Sequence, residues 1–256
     1  RLTPMETVLP EGYEKITPDN RETLRYAARM KAGSGFVFMV NFQDHDTARI
    51  DQKDLQLRLK LDNETIQIPA KGSFTLPKDE SVILPFNFLM EDALLKYATA
   101  QLLMKIDDNG KEHYFFFTPD GMNTEYVFDK ATVRGKNQFA PIPGLKSTFS
   151  IRTKAGKEVK ITTLTREQAL NSCKIDGKLL ITEATVLPGS GEVQLLSLGN
   201  NKFEYVLYPS KQGFKPYIKE VEIVKPDFSY KKVGARRLTV RFDDKMQAPQ
   251  VQEYFL

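Results

Sequence analysis

The strongest constraint on the fold of this chain is its rhythm. From Thr23 onward, short runs of alternating or wholly apolar residues recur at close spacing, cut by Gly, Asn, Asp and Pro. In "DLQLRLKL" (54 to 61), Leu55, Leu57, Leu59 and Leu61 share one face, the pattern of a half-buried strand. "TLRYAARM" (23 to 30) and "GFVFMVNF" (35 to 42) flank "KAGSG", which predicts a hairpin with a longer, glycine-containing turn. "ETIQIP", "GSFTLP" and "SVILPFNF" follow, and Pro69, Pro77 and Pro85 suit strand ends or edges, because proline cannot donate to a ladder. "ALLKYATAQLLMKI" (93 to 106) has a helix-favouring composition, yet Leu95, Tyr97 and Thr99 alternate. We expect a hairpin that turns through "DDNGK" into "HYFFFT".

After "TEYVFD", the stretch "RGKNQFAPIPGLKS" (134 to 147) holds two prolines and two glycines and predicts a linker. Beyond it "TFSIRT", "KEVKITTL", "KLLITEATVLP", "EVQLLSLG" and "FEYVLYPS" resume the strand rhythm. Thr165 and Gln168 in "TREQALNS" form a capping-box pattern and predict one short crossover helix. The expected fold is therefore all-β: two antiparallel β-sandwich domains, Ig-like or Greek-key, with one short helix in the second. The expected boundaries are a lead-in at 1–20, a first sandwich at 21–133, a linker at 134–147 and a second sandwich at 148–256. A (β/α)8 barrel or a doubly wound sheet needs many helices alternating with strands, and the pattern excludes both.

Composition narrows the function. With 41% hydrophobic and 27% charged residues, the 256-residue chain has an ordinary globular balance. Its net charge of +4 arises from 37 basic and 33 acidic residues mixed along the sequence, so no basic stripe offers itself to nucleic acid. Cys173 stands alone, which excludes an intramolecular disulfide and a paired-cysteine metal site; it suits a small, partly buried apolar position. No apolar run reaches the roughly 18 residues of a membrane helix, and "RLTPMETVLPEGYEK" lacks the pattern of a signal peptide. A chain opening on Arg1 is expected to be a cut fragment or a mature form.

Catalytic motifs are absent: there is no G-x-S-x-G, H-E-x-x-H or phosphate-binding glycine loop. His45 and His113 are the two histidines, and no marked nucleophile sits beside either. In "NFQDHD", alternation about a strand end sets Asp44 and Asp46 apart from His45, a poor geometry for a shared metal. Asn41, Gln43, Asp44 and His45 are accordingly candidates for a carbohydrate or interdomain contact, against the plainer reading of a hydrogen-bonded loop tip. His113 is expected to pack within its strand. The pairs Glu91/Asp92, Asp107/Asp108 and Asp243/Asp244 invite a glycosidase reading, but adjacent residues point apart and nothing nearby would raise one pKa. "YKKVGARR" (230 to 237) suits a protected edge strand. No catalytic residue, metal ligand or cofactor is expected in this chain.

Several ordered strings carry a family resemblance: "ETLRYAARMKAGSGFVFMVNFQDHDT", "KGSFTLPKDESVILPFNF", "LLKYATAQLLMKI" with "HYFFFTPDGMNTEYVFD", then "STFSIRTKAGKEVKITTLTREQALNSCKIDGKLLITEATVLP" and "LLSLGNNKFEYVLYPS". Over about residues 20 to 210, these resemble the β-rich region that follows the catalytic barrel in bacterial β-galactosidases of glycoside hydrolase family 35. The resemblance implies a parent that hydrolyses terminal β-galactosides with retention through two glutamates on its barrel. Neither glutamate falls in the matched segments. It also implies a (β/α)8 barrel in the same parent chain as partner, a periplasmic or extracellular location, and a strand for "KYATAQLL". It implies a supporting role for this region, with the loop from Asn41 to Asp46 near the substrate entrance. A carbohydrate-binding module for galactosides is the alternative, weakened by the absence of Trp.

Overall fold

The computed structural model describes residues 4–45, 50–188, 193–198, 205–209, 219–221 and 235–240. The fold is mostly β. Its strands are β1 (Glu6–Val8), β2 (Arg25–Lys31), β3 (Ser34–Val40), β4 (Gln52–Leu55), β5 (Leu57–Lys60), β6 (Thr65–Ile68), β7 (Phe74–Leu76), β8 (Ser81–Met90), β9 (Ala93–Ala98), β10 (Gln101–Asp107), β11 (Glu112–Thr118), β12 (Tyr126–Phe128), β13 (Val133–Arg134), β14 (Gln138–Phe139), β15 (Thr148–Thr153) and β16 (Glu158–Thr165). The helix α1 (Arg166–Leu170) follows, and then β17 (Ser172–Ile175), β18 (Lys178–Thr182), β19 (Thr185–Pro188), β20 (Val193–Leu198), β21 (Tyr205–Tyr208), β22 (Lys219–Val221) and β23 (Ala235–Val240). The chain forms two compact units: the first ends at Ala169, and the second takes in the turn 106–109 and the chain from Leu170.

In the first unit a seven-stranded sheet runs β1-β2-β3-β8-β9-β12-β14, and a five-stranded sheet runs β10-β11-β16-β15-β13. Two small sheets, β4-β7 and β5-β6, complete it. The β2–β3 hairpin closes tightly, with Lys31 opposite Ser34. Ala32 and Gly33 take φ of 50° and 75°, the left-handed pair that a two-residue hairpin turn requires, so the turn is shorter than the sequence predicts. The alternating leucines behave as expected: Leu57 is buried, Leu55, Leu59 and Leu61 are half-buried, and Gln56, Arg58 and Lys60 between them are exposed. The run is nonetheless two strands, broken at Gln56, which pair with different partners.

The seven-stranded sheet serves two cores. Val37, Met39, Val82, Leu84, Phe86 and Tyr97 pack with Leu57, Ile66, Ile68, Phe74 and Leu76 from the small sheets. Met90, Leu95, Ala98, Tyr126 and Phe128 pack with Tyr114, Phe116, Ile151, Val159 and Ile161 of the five-stranded sheet. Burial of each large side chain contributes about 1.5–3 kcal/mol. Phe86 pairs with Tyr97 in the first core, yet the next pair along, Phe88 with Leu95, belongs to the second. Two residues on a regular strand return to the same face. Here Asn87 takes a φ of 46°, and the ladder from β12 steps from Tyr97 to Leu95, so β8 and β9 turn their buried faces over together. The irregular positions are held from outside: Asn87 Nδ2 donates to Gly33 O at 2.9 Å and to Glu64 Oε1 at 2.8 Å, and Lys96 Nζ donates to both Glu64 carboxylate oxygens.

Several sequence expectations are corrected. The segment 134–147 does not divide the chain. Phe139 of β14 pairs with Tyr126 and packs on the second core, while β15 and β16 join β11 and β13 in one sheet. Proline and glycine there mark irregular backbone, and the stacked rings of Phe139 and Phe149, 4.4 Å apart, tie it to the core. The lead-in contributes β1, paired with β2. Residues 93–106 form strands rather than a helix, and β10 joins β11 as expected. Thr99 and Ala100 separate β9 from β10, which lie in different sheets. Pro85 sits inside β8 opposite Phe36, where the ladder to β9, which begins at Phe86, does not yet demand its missing N–H. β11 and β16 run parallel, across a connection long enough to return the chain in the same direction.

α1 starts with the expected capping box: Gln168 N donates to Thr165 Oγ1 at 3.2 Å, and Thr165 N to Gln168 Oε1 at 3.1 Å. It sits at the boundary of the two units, with Arg166–Ala169 in the first and Leu170 in the second. The second unit holds a three-stranded sheet, β17-β18-β21, and a four-stranded sheet, β19-β20-β23-β22. Ile175, Leu180, Ala184, Val193 and Leu195 form its core, against which Cys173 packs. β23, which contains Arg236 and Arg237, lies between β20 and β22, so this part of "YKKVGARR" is interior to its sheet rather than at an edge. Residues 230–234, Asp243/Asp244 and "VQEYFL" lie outside the described residues.

Candidate functional site

The candidate residues gather where β3 ends, and they do different jobs. Val37 and Met39 point into the first core, and the period of two carries Asn41 inward after them. Asn41 is fully buried. Its Nδ2 lies 2.9 Å from Ile50 O, 3.1 Å from Leu76 O and 2.9 Å from Pro77 O. Its own backbone accepts from Asp79 N and donates to Glu80 O. Asn41 therefore clamps the end of β3 to the segment after β7, and its amide is committed to backbone. The Val37–Met39–Asn41 alternation is the sequence signal that identifies it as an inward residue.

Gln43 is half-buried, and its Oε1 accepts from Arg25 Nη1 at 2.7 Å, while Arg25 Nη2 donates to Thr17 O at 3.2 Å. Arg25, which the sequence reading did not single out, thus mounts the loop on β2. Asp44 and His45 form the tip, with side chains 78% and 90% exposed. Asp44 Oδ1 accepts from the His45 backbone N–H at 3.0 Å, and Oδ2 lies 3.0 Å from His45 Nδ1. Such an exposed pair contributes little to stability. His45 adopts a φ of 60°, which turns the chain sharply at the tip. Asp46 lies outside the described residues. Val40 and Phe42, on either side of Asn41 in the chain, and Ile50, whose carbonyl meets the Asn41 amide, are exposed apolar residues, at 37%, 49% and 52% accessibility.

The other candidates have structural partners. His113 is buried, stacks on Phe115 at 4.2 Å and shares a hydrogen bond with Thr162 Oγ1 at 2.7 Å, as expected of a packed histidine. Glu91 and Asp92 form the β8–β9 turn and both face Lys157 Nζ, at 2.6 and 3.2 Å. Those hydrogen bonds, with Glu91 first, hold the Lys157 ammonium above its ordinary pKa. Asp108 accepts from Asn109 Nδ2 at 2.9 Å within its turn. Burial pushes the Tyr126 hydroxyl far up, and it bonds Thr163 Oγ1 at 2.8 Å inside the second core. Among the described residues there is no group of three or more His, Cys, Asp or Glu placed to hold a metal, and no helix long and apolar enough to cross a membrane.

Taken together, the layered sheets and the clamped strand end define an all-β sandwich module that presents a short polar loop at the end of β3. Residues 12–183 match the family model described as "Beta-galactosidase, domain 2". This is more than half of the chain, and the chain belongs to that family as an accessory domain of a β-galactosidase. No curated protein matches it.

Proposed function

We propose that this chain is the accessory β-sandwich region of a glycoside hydrolase family 35 β-galactosidase and performs no chemistry itself. It braces the catalytic (β/α)8 barrel of the same parent chain, with the loop from Asn41 to His45 toward the substrate entrance. The observation that carries the bracing role is the exposed apolar group of Val40, Phe42 and Ile50 beside a strand end that Asn41 holds rigid. Apolar side chains grouped on a fixed frame suit burial against another domain. The family 35 assignment rests on the ordered strand sequences quoted above, and so does the proposed periplasmic or extracellular location.

Substitution of exposed contacts separates a bracing role from a purely local one. Val40→Thr with Phe42→Ser should leave the isolated chain within about 0.5 kcal/mol of its original stability, because both side chains are exposed. The same pair of changes should lower the melting temperature of the full-length parent. A parent that melts unchanged would refute the bracing surface. Saturable galactoside binding by the isolated chain, lost in Phe42→Ser, would replace it with a carbohydrate-binding role.

A further inference from the structure

Ile142 is 87% accessible, the most exposed large apolar side chain among the described residues. A single apolar residue at a surface calls for no explanation. The backbone that carries this one, however, is fixed at both ends. Upstream, the Phe139 ring stacks on Phe149 at 4.4 Å and meets Phe128 edge-on, and Asn137 Nδ2 donates to Phe128 O at 2.8 Å. Downstream, Gly144 N donates to Thr163 O at 2.9 Å, and Thr163 N to Ser147 O at 2.9 Å. Between these ends, Pro141 and Pro143 have φ set by their rings and bias Ala140 and Ile142 to extended backbone. Exposure alternates accordingly: Phe139, Pro141 and Pro143 are half-buried, while Gln138, Ala140 and Ile142 are exposed. Ile142 thus faces solvent by the period of the strand, on a segment with little freedom left to lose on binding.

Strand register relates Ile142 to the end of β3. Val40 stands opposite Ser81, Phe86 opposite Tyr97, Ala98 opposite Tyr126, and Tyr126 opposite Phe139. Across the seven-stranded sheet β3 and β14 therefore run in the same direction, and the chain leaves β14 toward Ile142 at the end where it leaves β3 toward Phe42. The two strands are four steps apart in the sheet, about 19 Å at the usual strand spacing, a span that one neighbouring domain covers. β14 is an edge strand, and neither proline after it has an N–H to offer an added strand. A partner at this edge meets the side chain rather than the backbone. We propose that Ile142 is a preformed anchor that enters an apolar pocket on the catalytic domain of the parent β-galactosidase, a second point of contact at the sheet end that carries Val40 and Phe42. This rests on the bracing role proposed above. The catalytic domain is the fitting occupant because membership of the family implies one in the same parent chain, where the tether holds it at high effective concentration.

Ile142→Cys puts a thiol at the anchor, and its alkylation by iodoacetamide can be followed on the peptide that contains it, so that Cys173 does not contribute. In the isolated chain it should react as fast as in the same chain unfolded in urea. In the full-length parent it should react at least about ten-fold more slowly, because a covered thiol must await an opening. Equal rates in the parent and the isolated chain would overturn the proposal. Slow reaction in the isolated chain would overturn it too: protection that deepens with concentration would make a second copy the occupant, and protection independent of concentration would mean that the chain covers Ile142 itself. Ile142→Asp should lower the melting temperature of the parent and leave that of the isolated chain unchanged, and a parent that melts unchanged would count against the anchor. A freely reacting thiol in a parent that Val40→Thr with Phe42→Ser still weakens would sink the anchor and spare the bracing surface, so the two readings fail independently.

Discussion

Replacing Asn41 with alanine deletes the amide that holds three backbone carbonyls, and the cost can be worked from their surroundings. The Ile50 carbonyl belongs to an exposed residue and can turn to water. The bond to Leu76 O is buried and the bond to Pro77 O partly so. A buried acceptor stranded without a donor costs about 1–3 kcal/mol, so Asn41→Ala should destabilise the first unit by about 2–3 kcal/mol. For a domain of this size that is a fall in melting temperature of about 5–10 °C. Asn41→Asp should be worse, because its carboxylate would face the same carbonyls with no proton to offer. The chain has no Trp and ten Tyr, so urea unfolding followed by tyrosine fluorescence and far-ultraviolet circular dichroism reads the effect. His45→Ala serves as the comparison and should stay within about 0.5 kcal/mol, since its side chain is exposed. If Asn41→Ala were as mild as His45→Ala, the amide would not be committed to the backbone, and the clamp described here would be wrong.

Two other substitutions probe the sheet that carries this loop. A Cβ at Gly35 would lie 2.1 Å from Arg29 O and 2.8 Å from Met30 Cα, backbone atoms that a paired strand cannot move aside, so Gly35→Ala should lower stability by at least about 2 kcal/mol; an unchanged urea midpoint would contradict the packing of β2 against β3. The hydrogen bond from Lys96 holds the Glu64 carboxyl below its ordinary 4.5 against the opposing effect of burial, with Asn87 and the Lys96 charge adding to the lowering. A depressed carboxylate contributes its stability above the ordinary value and loses it as pH falls through the lower folded value. Glu64→Gln should therefore be less stable than the original chain at neutral pH and show a flatter loss of stability below about pH 4.5; parallel acid-denaturation profiles would show that the Glu64–Lys96 pair does not stabilise the fold.

The candidate loop was legible in position but not in role. "NFQDHD" correctly marked a polar tip at a strand end, and the tip is Asp44 and His45. Asn41 and Gln43 looked equivalent to them in sequence, yet one is a buried clamp and the other is held by Arg25 from a different strand. Gln43 and Arg25 are far apart in sequence, so no local pattern could link them. The stretch 134–147 misled for a related cause: composition reports backbone irregularity, whereas a domain division depends on which core Phe139 and Phe149 enter.

Local stereochemistry made the elements readable. Alternation along a strand follows from the opposite directions of successive side chains, so the leucines of 54–61 and the packing of His113 could be anticipated without a structure. The capping box of α1 and the turn residues of the hairpins are equally local, because their hydrogen bonds span a few residues. Pairing is different. Backbone N–H and C=O groups are alike at every residue, and nothing in "HYFFFT" announces a parallel neighbour in "KITTLT", or in Asn87 and Lys96 that two strands will turn over together. Those choices arose from closing two cores on one sheet at once, a condition that exists only after distant segments have met.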